Sequence, residues 1–463
     1  MLEANKDKIE VKPVIKVDAE LTNNISELIR DHAAKSILNI FNDLHHADIA
    51  EIINHLSHEN ATYAFNLLNT ETAGEVITEL DENLRERILK FIDPVKITEI
   101  VDALDSDDAT DIISDLPNEV AEHVLENIDE ISSEGVKELL KYDEESAGGI
   151  MNSDFVFVNE NADIKDAIKE VRNNAAEFDQ IYHIYVLSRE NKLVGVVSLK
   201  SLLLHPFHTQ VDSIMQEDLI YVTSEVDQEE VANIMEKYDL VAIPVVDESK
   251  TMIGRITIDD IVDVIQDEAE EDIQKIAGLS EEQESSDSIF RISRIRLPWL
   301  IIAFVIEFFG SIVLDSYQDA LSLFTTAVVF IPIVMAMGGS SGSQAAIVMV
   351  RGLTSGDIWL RNSLKNLRKD FFVALLNGLV LSSLLLLATI LFFKETFAIA
   401  LLVSSSLIIV IIVATMMGSI IPILLRKMNI DPAIATGPFV STSNDILGLI
   451  IYLTIIQIFY PLI

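Results

Sequence analysis

The 463-residue chain contains no cysteine and only 2 tryptophans. Without thiols there is no disulfide, no thiolate metal ligand and no cysteine nucleophile. Histidine is scarce and uneven, with all 9 lying between His32 and His208. A metal held later in the chain must rely on oxygen ligands, which suit hard ions such as magnesium or calcium better than zinc or copper. Positive charge is the other shortage. Residues 1–290 hold 22 Lys/Arg against 66 Asp/Glu, whereas residues 291–463 hold 11 against 8. Like charges at that density repel unless cations neutralise them, so nucleic acid is not expected as a partner and cation handling is. No basic, apolar leader opens the chain, since Met1–Glu20 is charged throughout. No cleaved signal is therefore expected, and the acidic half is expected in the cytosol. The motifs His-Glu-x-x-His and Gly-x-Gly-Asp are missing too, so an enzyme is not expected.

What the second half does have is long apolar sequence. Leu297–Tyr317, Leu323–Val350, Phe371–Phe393, Ala398–Leu425 and Ala433–Tyr460 approach or exceed the roughly 20 apolar residues that cross a bilayer. Five crossings put the two ends on opposite sides. Ten of the eleven basic residues after 290 then fall on one side: Arg291, Arg294, Arg296, Arg351, Arg361, Lys365, Arg368, Lys369, Arg426 and Lys427, with Lys394 the exception. The positive-inside rule makes that side cytosolic, which predicts an amino end inside and a carboxyl end outside.

Two acids, Glu307 and Asp445, interrupt the apolar segments near mid-depth. Each costs about 2.5–3.5 kcal/mol on insertion scales, so neither should face lipid while charged. Around Asp445, the residues Pro432, Gly437 and Pro438 predict a loosened helix whose freed carbonyls would join the carboxylate in an ion site. Pro332 followed by Gly338-Gly-Ser-Ser-Gly-Ser-Gln344 predicts a matching break in the second segment. Packing around a buried, protonated Asp445 is the other reading of the same residues, and Glu307 lacks comparable polar company.

The acidic half contains two repeats. Residues 44–128 repeat with a period of 12, anchored at Leu44, Leu56, Leu68, Leu80, Ile92, Leu104, Leu116 and Ile128. Ser57, Asn69, Asp81, Asp93 and Asp105 follow anchors as candidate helix N-caps, predicting one short helix per repeat stacked into a small solenoid. In the second repeat, over 147–278, Ile184-Tyr-Val-Leu and Leu193-Val-Gly195 align with Ile243-Pro-Val-Val and Met252-Ile-Gly254, 59 residues apart. Each copy reads strand, turn, strand, helix. The pair resembles tandem CBS modules, which sense nucleotides or ions and pass a movement to an attached enzyme or channel. In that resemblance Thr257 and Asp260 of the second copy could hold a ribose, whereas the first copy has Ser201. Asp259 to Asp272 then forms an acidic helix with an apolar stripe at Ile261, Val262 and Ile265.

This order resembles the MgtE family of magnesium transporters from about residue 30 onward. The most specific matches are Pro332–Gln344 and Asp431-Pro-Ala with Gly437-Pro-Phe-Val and Asn444-Asp445. The resemblance implies a multidomain fold: an all-α helical-repeat domain at 31–140 after a tail at 1–30, α/β CBS modules at 141–210 and 211–272, a connecting helix at 273–296, and a five-helix membrane domain at 297–463. It implies a homodimer in the cytoplasmic membrane that takes up Mg²⁺ by a channel-like path. Asp445 would be the ion-selective acid, with Asn444, Ser441, Gly437, Pro438, Gly338, Gly339, Ser340 and Gln344 along the path. Regulatory Mg²⁺ would bind Asp227, Asp239, Asp260, Asp263, Glu268, Glu271 and Asp272, with Asp107, Asp108 and Asp111 aligned less closely. ATP at the CBS pair is a further implied ligand. Ser340 and Ser343 stand where the family usually has Asn, and Glu307 is an additional acid, so manganese, cobalt or nickel remain alternatives as cargo. A nucleotide-sensing transporter of another solute is the rival reading.

Overall fold

The computed structural model describes residues 17–174, 181–279, 289–323, 325–354, 363–428, 430–435 and 437–459. The chain divides into two compact units, one ending at Ile265 and the other beginning at Gln266.

The first unit begins with ten helices: α1 (Ala19–Arg30), α2 (Ala34–Asn42), α3 (His46–Asn54), α4 (His58–Asn66), α5 (Thr70–Thr78), α6 (Glu82–Leu89), α7 (Pro94–Val101), α8 (Ser106–Ser114), α9 (Asn118–Asn127) and α10 (Glu130–Leu139). From α3 to α9 they start every 12 residues or so, with Ser57, Asn69, Asp81, Asp93 and Asp105 at the N-cap positions of α4 to α8 and side-chain capping bonds at Asn69 and Asp93 among these five. Asn69 accepts from the Thr72 amide and Asp93 from the Val95 amide, with Pro94 at the first helical position. Helices this short bury little alone, so α3 packs on α5, α5 on α7 and α7 on α9, giving a continuous core of residues such as Ile53, Phe65, Ile77 and Ile100. Residues 19–30 are not tail: Asp18 caps α1, and its Ile25 and Ile29, four apart on one face, enter the same core. Residues 1–16 lie outside the described residues.

Two small sheets follow with one topology. In the first, β1 (Phe157–Asn159) pairs parallel with β2 (His183–Leu187), which pairs antiparallel with β3 (Leu193–Ser198); α11 (Ile164–Asn174) and α12 (Leu199–Leu204) flank them. In the second, β4 (Val222–Thr223), β5 (Ala242–Val246) and β6 (Met252–Thr257) repeat the pattern beside α13 (Gln228–Tyr238). Gly195 opposes Val186 and Gly254 opposes Val245, at the same point of each hairpin. A Cβ on Gly254 would come within 2.8 Å of the Asn152 carbonyl, so only glycine lets that loop cross the strand.

The acidic helix α14 runs Ile258–Ala277. It thus starts before the expected 273–296 span, because Ile261 and Val264 bury its first turns on the second sheet's core, whereas Val262 and Ile265 of the expected stripe are exposed. Residues 280–288 lie outside the described residues, and 289–296 already belong to the next helix.

The second unit holds α15 (Ile289–Ser316), α16 (Gln318–Leu323), α17 (Thr325–Thr354), α18 (Ser363–Phe393), α19 (Phe397–Lys427) and α20 (Gly437–Phe459). Among the described residues, five of these are long and apolar enough to cross a membrane. Helix α19 packs against α17, α18 and α20, and α15 packs on α20. The expected break in the second segment does not occur: α17 is one helix containing Pro332. Its glycines serve close packing instead, since a Cβ on Gly418 of α19 would overlap the Gly342 backbone of α17. Arg361 lies outside the described residues.

Candidate functional site

Helix α20 places Ser441, Asn444 and Asp445 at spacings of three and four, hence on one side of the helix. Asn444 is 2% exposed, and its amide nitrogen is enclosed without a hydrogen-bond partner. Asp445 is half-buried. Its Oδ1 lies against Gly339 of α17, where a Cβ would sit 2.6 Å from that oxygen and 3.2 Å from Ser441 Oγ. Gly339 therefore admits the carboxylate, and Gly338 is buried close to the Asn444 carbonyl. Ser340 and Gln344, four residues apart, stand on the exposed face of α17 in the single chain. Glu307 of α15 is within electrostatic reach of Asp445, and its carboxylate and the Ile446 side chain both abut Gly310.

The loosened backbone lies before this point rather than beside it. Pro432–Ala435 form a 3-10 turn, and α20 then begins at Gly437 with Pro438 in its first turn. A helix start leaves amide N–H groups unpaired, not carbonyls, so the anticipated freed carbonyls are not next to Asp445, two turns in. The side chains of Gly437 and Pro438 lie outside the described residues.

In the first unit, Asp105, Asp107 and Asp108 at the start of α8 meet Asp260 at the start of α14. Burial pushes the Asp108 carboxyl up to about 7, with Asp260, Asp111 and Asp105 adding repulsion. Asp107 is raised well above its ordinary range for the same reasons, burial first and Asp260 second. Burial also raises Asp260 to about 6, although hydrogen bonds from the Thr257 hydroxyl (2.8 Å) and amide (3.2 Å) favour its ionised form. Two positive charges offset part of this repulsion, Arg255 acting on Asp260 and Arg85 on Asp108, and neutral donors supply hydrogen bonds. Asn152, 3% exposed, donates to Asp105 and Asp107 at 3.2 Å each and accepts from Ser106 at 3.1 Å. Arg85 sits to one side, bonded to Asp115 at 2.6 Å.

Other anticipated residues lie elsewhere. Asp227 and Asp239 cap the two ends of α13, Asp227 accepting from the Glu229 amide and Asp239 in the left-handed conformation at φ 52°. Asp263 follows Asp259 by one turn of α14 and is repelled by it. In the second unit, Lys275 donates to Glu271 at 2.6 Å and to Asp431 at 2.7 Å, while burial and Asp431 raise the nearby Asp272 carboxyl. Among the described residues no three His, Asp or Glu side chains form a ready-made metal cage. These are open clusters of the kind that a largely hydrated cation can bridge. Sequence reasoning missed Asn152, Asp105, Lys275 and the site position of Asp431. Asp105 reads as a helix cap, and nothing in the pattern around Asn152 or Lys275 marks a partner over a hundred residues distant or in another domain.

Residues 331–455 match the family model described as "Divalent cation transporter" (MgtE), residues 44–145 the MgtE intracellular N domain, and residues 147–207 and 211–267 the CBS domain. The magnesium transporter MgtE of Bacillus subtilis is 31% identical over 440 residues, covering 95% of this chain and 97% of that protein. That of Thermus thermophilus is 32% identical over 327 residues, covering 70% and 72%. A solved structure of the cytosolic domain of the Mg²⁺ channel MgtE in complex with ATP aligns with 53% of this chain and 100% of that one, at 30% identity and TM-score 0.49. With full-length similarity, all three family models in order and five apolar helices, the chain is a multi-pass membrane protein belonging to the MgtE family of magnesium transporters.

Proposed function

We propose that this chain conducts Mg²⁺ into the cell along a channel-like path in which Asp445 selects the ion, and that its acidic half, on the cytosolic side, closes the path when Mg²⁺ is abundant. The observation that carries this reading is the seating of Asp445 against Gly339, Ser441 and Asn444 within the membrane helices. Mg²⁺ gives up water reluctantly, so a carboxylate with hydroxyl and amide neighbours holds it through its hydration shell. The hold must be strong enough for entry and weak enough for release. Ser340 and Gln344 point away from the single chain's core, so a second copy across a two-fold axis would enclose them with a second Asp445.

Gating follows from the acids. Without a cation, ionised Asp107, Asp108 and Asp260 repel one another; bound Mg²⁺ replaces repulsion with a bridge. Moving a gate from 1:99 to 99:1 takes about 5.5 kcal/mol of differential binding, which several weak sites supply together. Asp111, Asp227, Asp239, Asp263, Glu268, Glu271 and Asp272 are further regulatory candidates. If ATP binds the CBS pair through Thr257 and Asp260, it draws on the same carboxylate that a bridging cation needs, so nucleotide and Mg²⁺ regulation are linked there.

The test is Mg²⁺ influx into liposomes holding the purified full chain, wild type against Asp445→Asn, with Mn²⁺, Co²⁺, Ni²⁺ and Ca²⁺ as competitors. Flux that disappears in the variant is the expected result. Undiminished flux in Asp445→Asn overturns the assigned path, and a competitor preferred over Mg²⁺ overturns the assigned cargo.

A further inference from the structure

Lys275 occupies a place that the path and the sensor share. It lies in the last turn of α14 and reaches Asp431, in the turn that opens the ion-path helix α20. Asp431 uses its two oxygens differently: Oδ2 takes the Lys275 ammonium at 2.7 Å, and Oδ1 accepts the Ala433 amide at 2.8 Å, fixing the Pro432–Ala435 turn. The same ammonium holds Glu271 Oε1 at 2.6 Å. Partial burial works against its charge, but the hydrogen bonds to Asp431 and Glu271 outweigh that and hold Lys275 above the ordinary lysine range. Asp272 stands beside Asp431 and is repelled by it. Three carboxylates therefore meet around one protein-borne cation.

We propose that Lys275 is a positioning residue for the ion path, a tethered cation that ties α14 to the turn before α20 and that a divalent cation must displace to bind Glu271 and Asp431. The idea rests on the reading that the acids of α14 bind regulatory Mg²⁺. Its physical basis is competition: an ammonium supplies one charge and at most three donors, whereas a divalent ion supplies two charges and bridges carboxylates directly or through water. With Lys275 in place the acids are already half-neutralised, which lowers their affinity for the divalent ion and sets the Mg²⁺ level at which the site fills. Without it, the acids repel and favour the divalent ion more strongly.

The experiment titrates the full chain in detergent with Mn²⁺ by electron paramagnetic resonance, and measures the cytosolic-side Mg²⁺ level that half-inhibits liposome influx. Lys275→Met is expected to tighten one Mn²⁺ site about tenfold and to lower the half-inhibiting Mg²⁺ level in parallel. Lys275→Arg, which keeps the charge, should bind Mn²⁺ as wild type does, and Lys275→Met with Asp431→Asn should lose the tightened site. A misfolded or merely loosened variant would weaken binding rather than tighten it. Unchanged or weaker Mn²⁺ binding in Lys275→Met overturns the proposal. Wild-type influx that ignores Mg²⁺ would instead sink the gating reading, while the Mn²⁺ titration still decides whether Lys275 competes for the site.

Discussion

Replacing Asp108 by Asn should make the ion-free protein more stable, because it removes an ionisable charge and keeps a polar side chain at the start of α8. Burial and the neighbouring Asp260, Asp111 and Asp105 raise the Asp108 carboxyl to about 7. A carboxyl moved from about 3.9 in the unfolded chain to about 7 in the folded one carries an ionised-state penalty of about 4 kcal/mol. Because Asp108 is half-buried rather than closed off, roughly half of that, about 2 kcal/mol, is a reasonable expectation. The folded value lies above the unfolded one, so the stabilising contribution is complete below about pH 4 and is lost as pH rises through about 7. Amide hydrogen exchange of α8 in the full chain at pH 8 without divalent ions reads this directly. Both tryptophans, Trp299 and Trp359, lie in the membrane half and do not report on α8. About 2 kcal/mol corresponds to exchange slowed roughly thirtyfold in Asp108→Asn. Millimolar Mg²⁺ should protect α8 in wild type and add little in the variant. Exchange in ion-free Asp108→Asn that is as fast as in wild type, or faster, would refute the claim that these acids strain the empty state.

Three further outcomes are expected. Glu307→Gln should raise the Mg²⁺ concentration for half-maximal influx by about tenfold without abolishing transport, since it removes one of two carboxylates in electrostatic reach at mid-depth; an unchanged concentration dependence would make Glu307 a bystander. Gly418→Ala should destabilise the membrane half by about 1–3 kcal/mol, because its Cβ would overlap the Gly342 backbone, which cannot rotate away; a thermal shift followed by size-exclusion recovery in detergent checks it. Asn152→Ala should cost about 1–3 kcal/mol at the start of α8 by stripping partners from Ser106, Asp105 and Asp107, seen as faster hydrogen exchange there.

Local periodicity carried the fold a long way. The 12-residue anchors and caps such as Asn69 and Asp93 are short-range features, and the helices form where those features put them. The 59-residue offset between Gly195 and Gly254 likewise anticipates two equivalent hairpins, each glycine standing at the same register position of its antiparallel pair. Asp445 stood out for a similar reason: charge is costly in an apolar segment wherever the segment packs. Helix breaks were misjudged from the same kind of signal. Pro332 and the Gly338–Gly342 run look like a break from composition, yet α17 stays whole, since neighbouring helices fill the space those residues leave.

By itself, then, the sequence determined the order of domains, the five apolar helices, the acidity of the first half and the oxygen-only chemistry of the second, all of which depend on composition and on spacings within a few turns. Tertiary structure alone decided which acids meet. Asp260 approaches Asp107 and Asp108 from more than a hundred residues away, Asn152 bridges Asp105 and Asp107, and Lys275 pairs with Asp431 across 156 residues. Electrostatic and hydrogen-bond energies depend on distance in space and on exclusion of water, and neither can be read from separation along the chain.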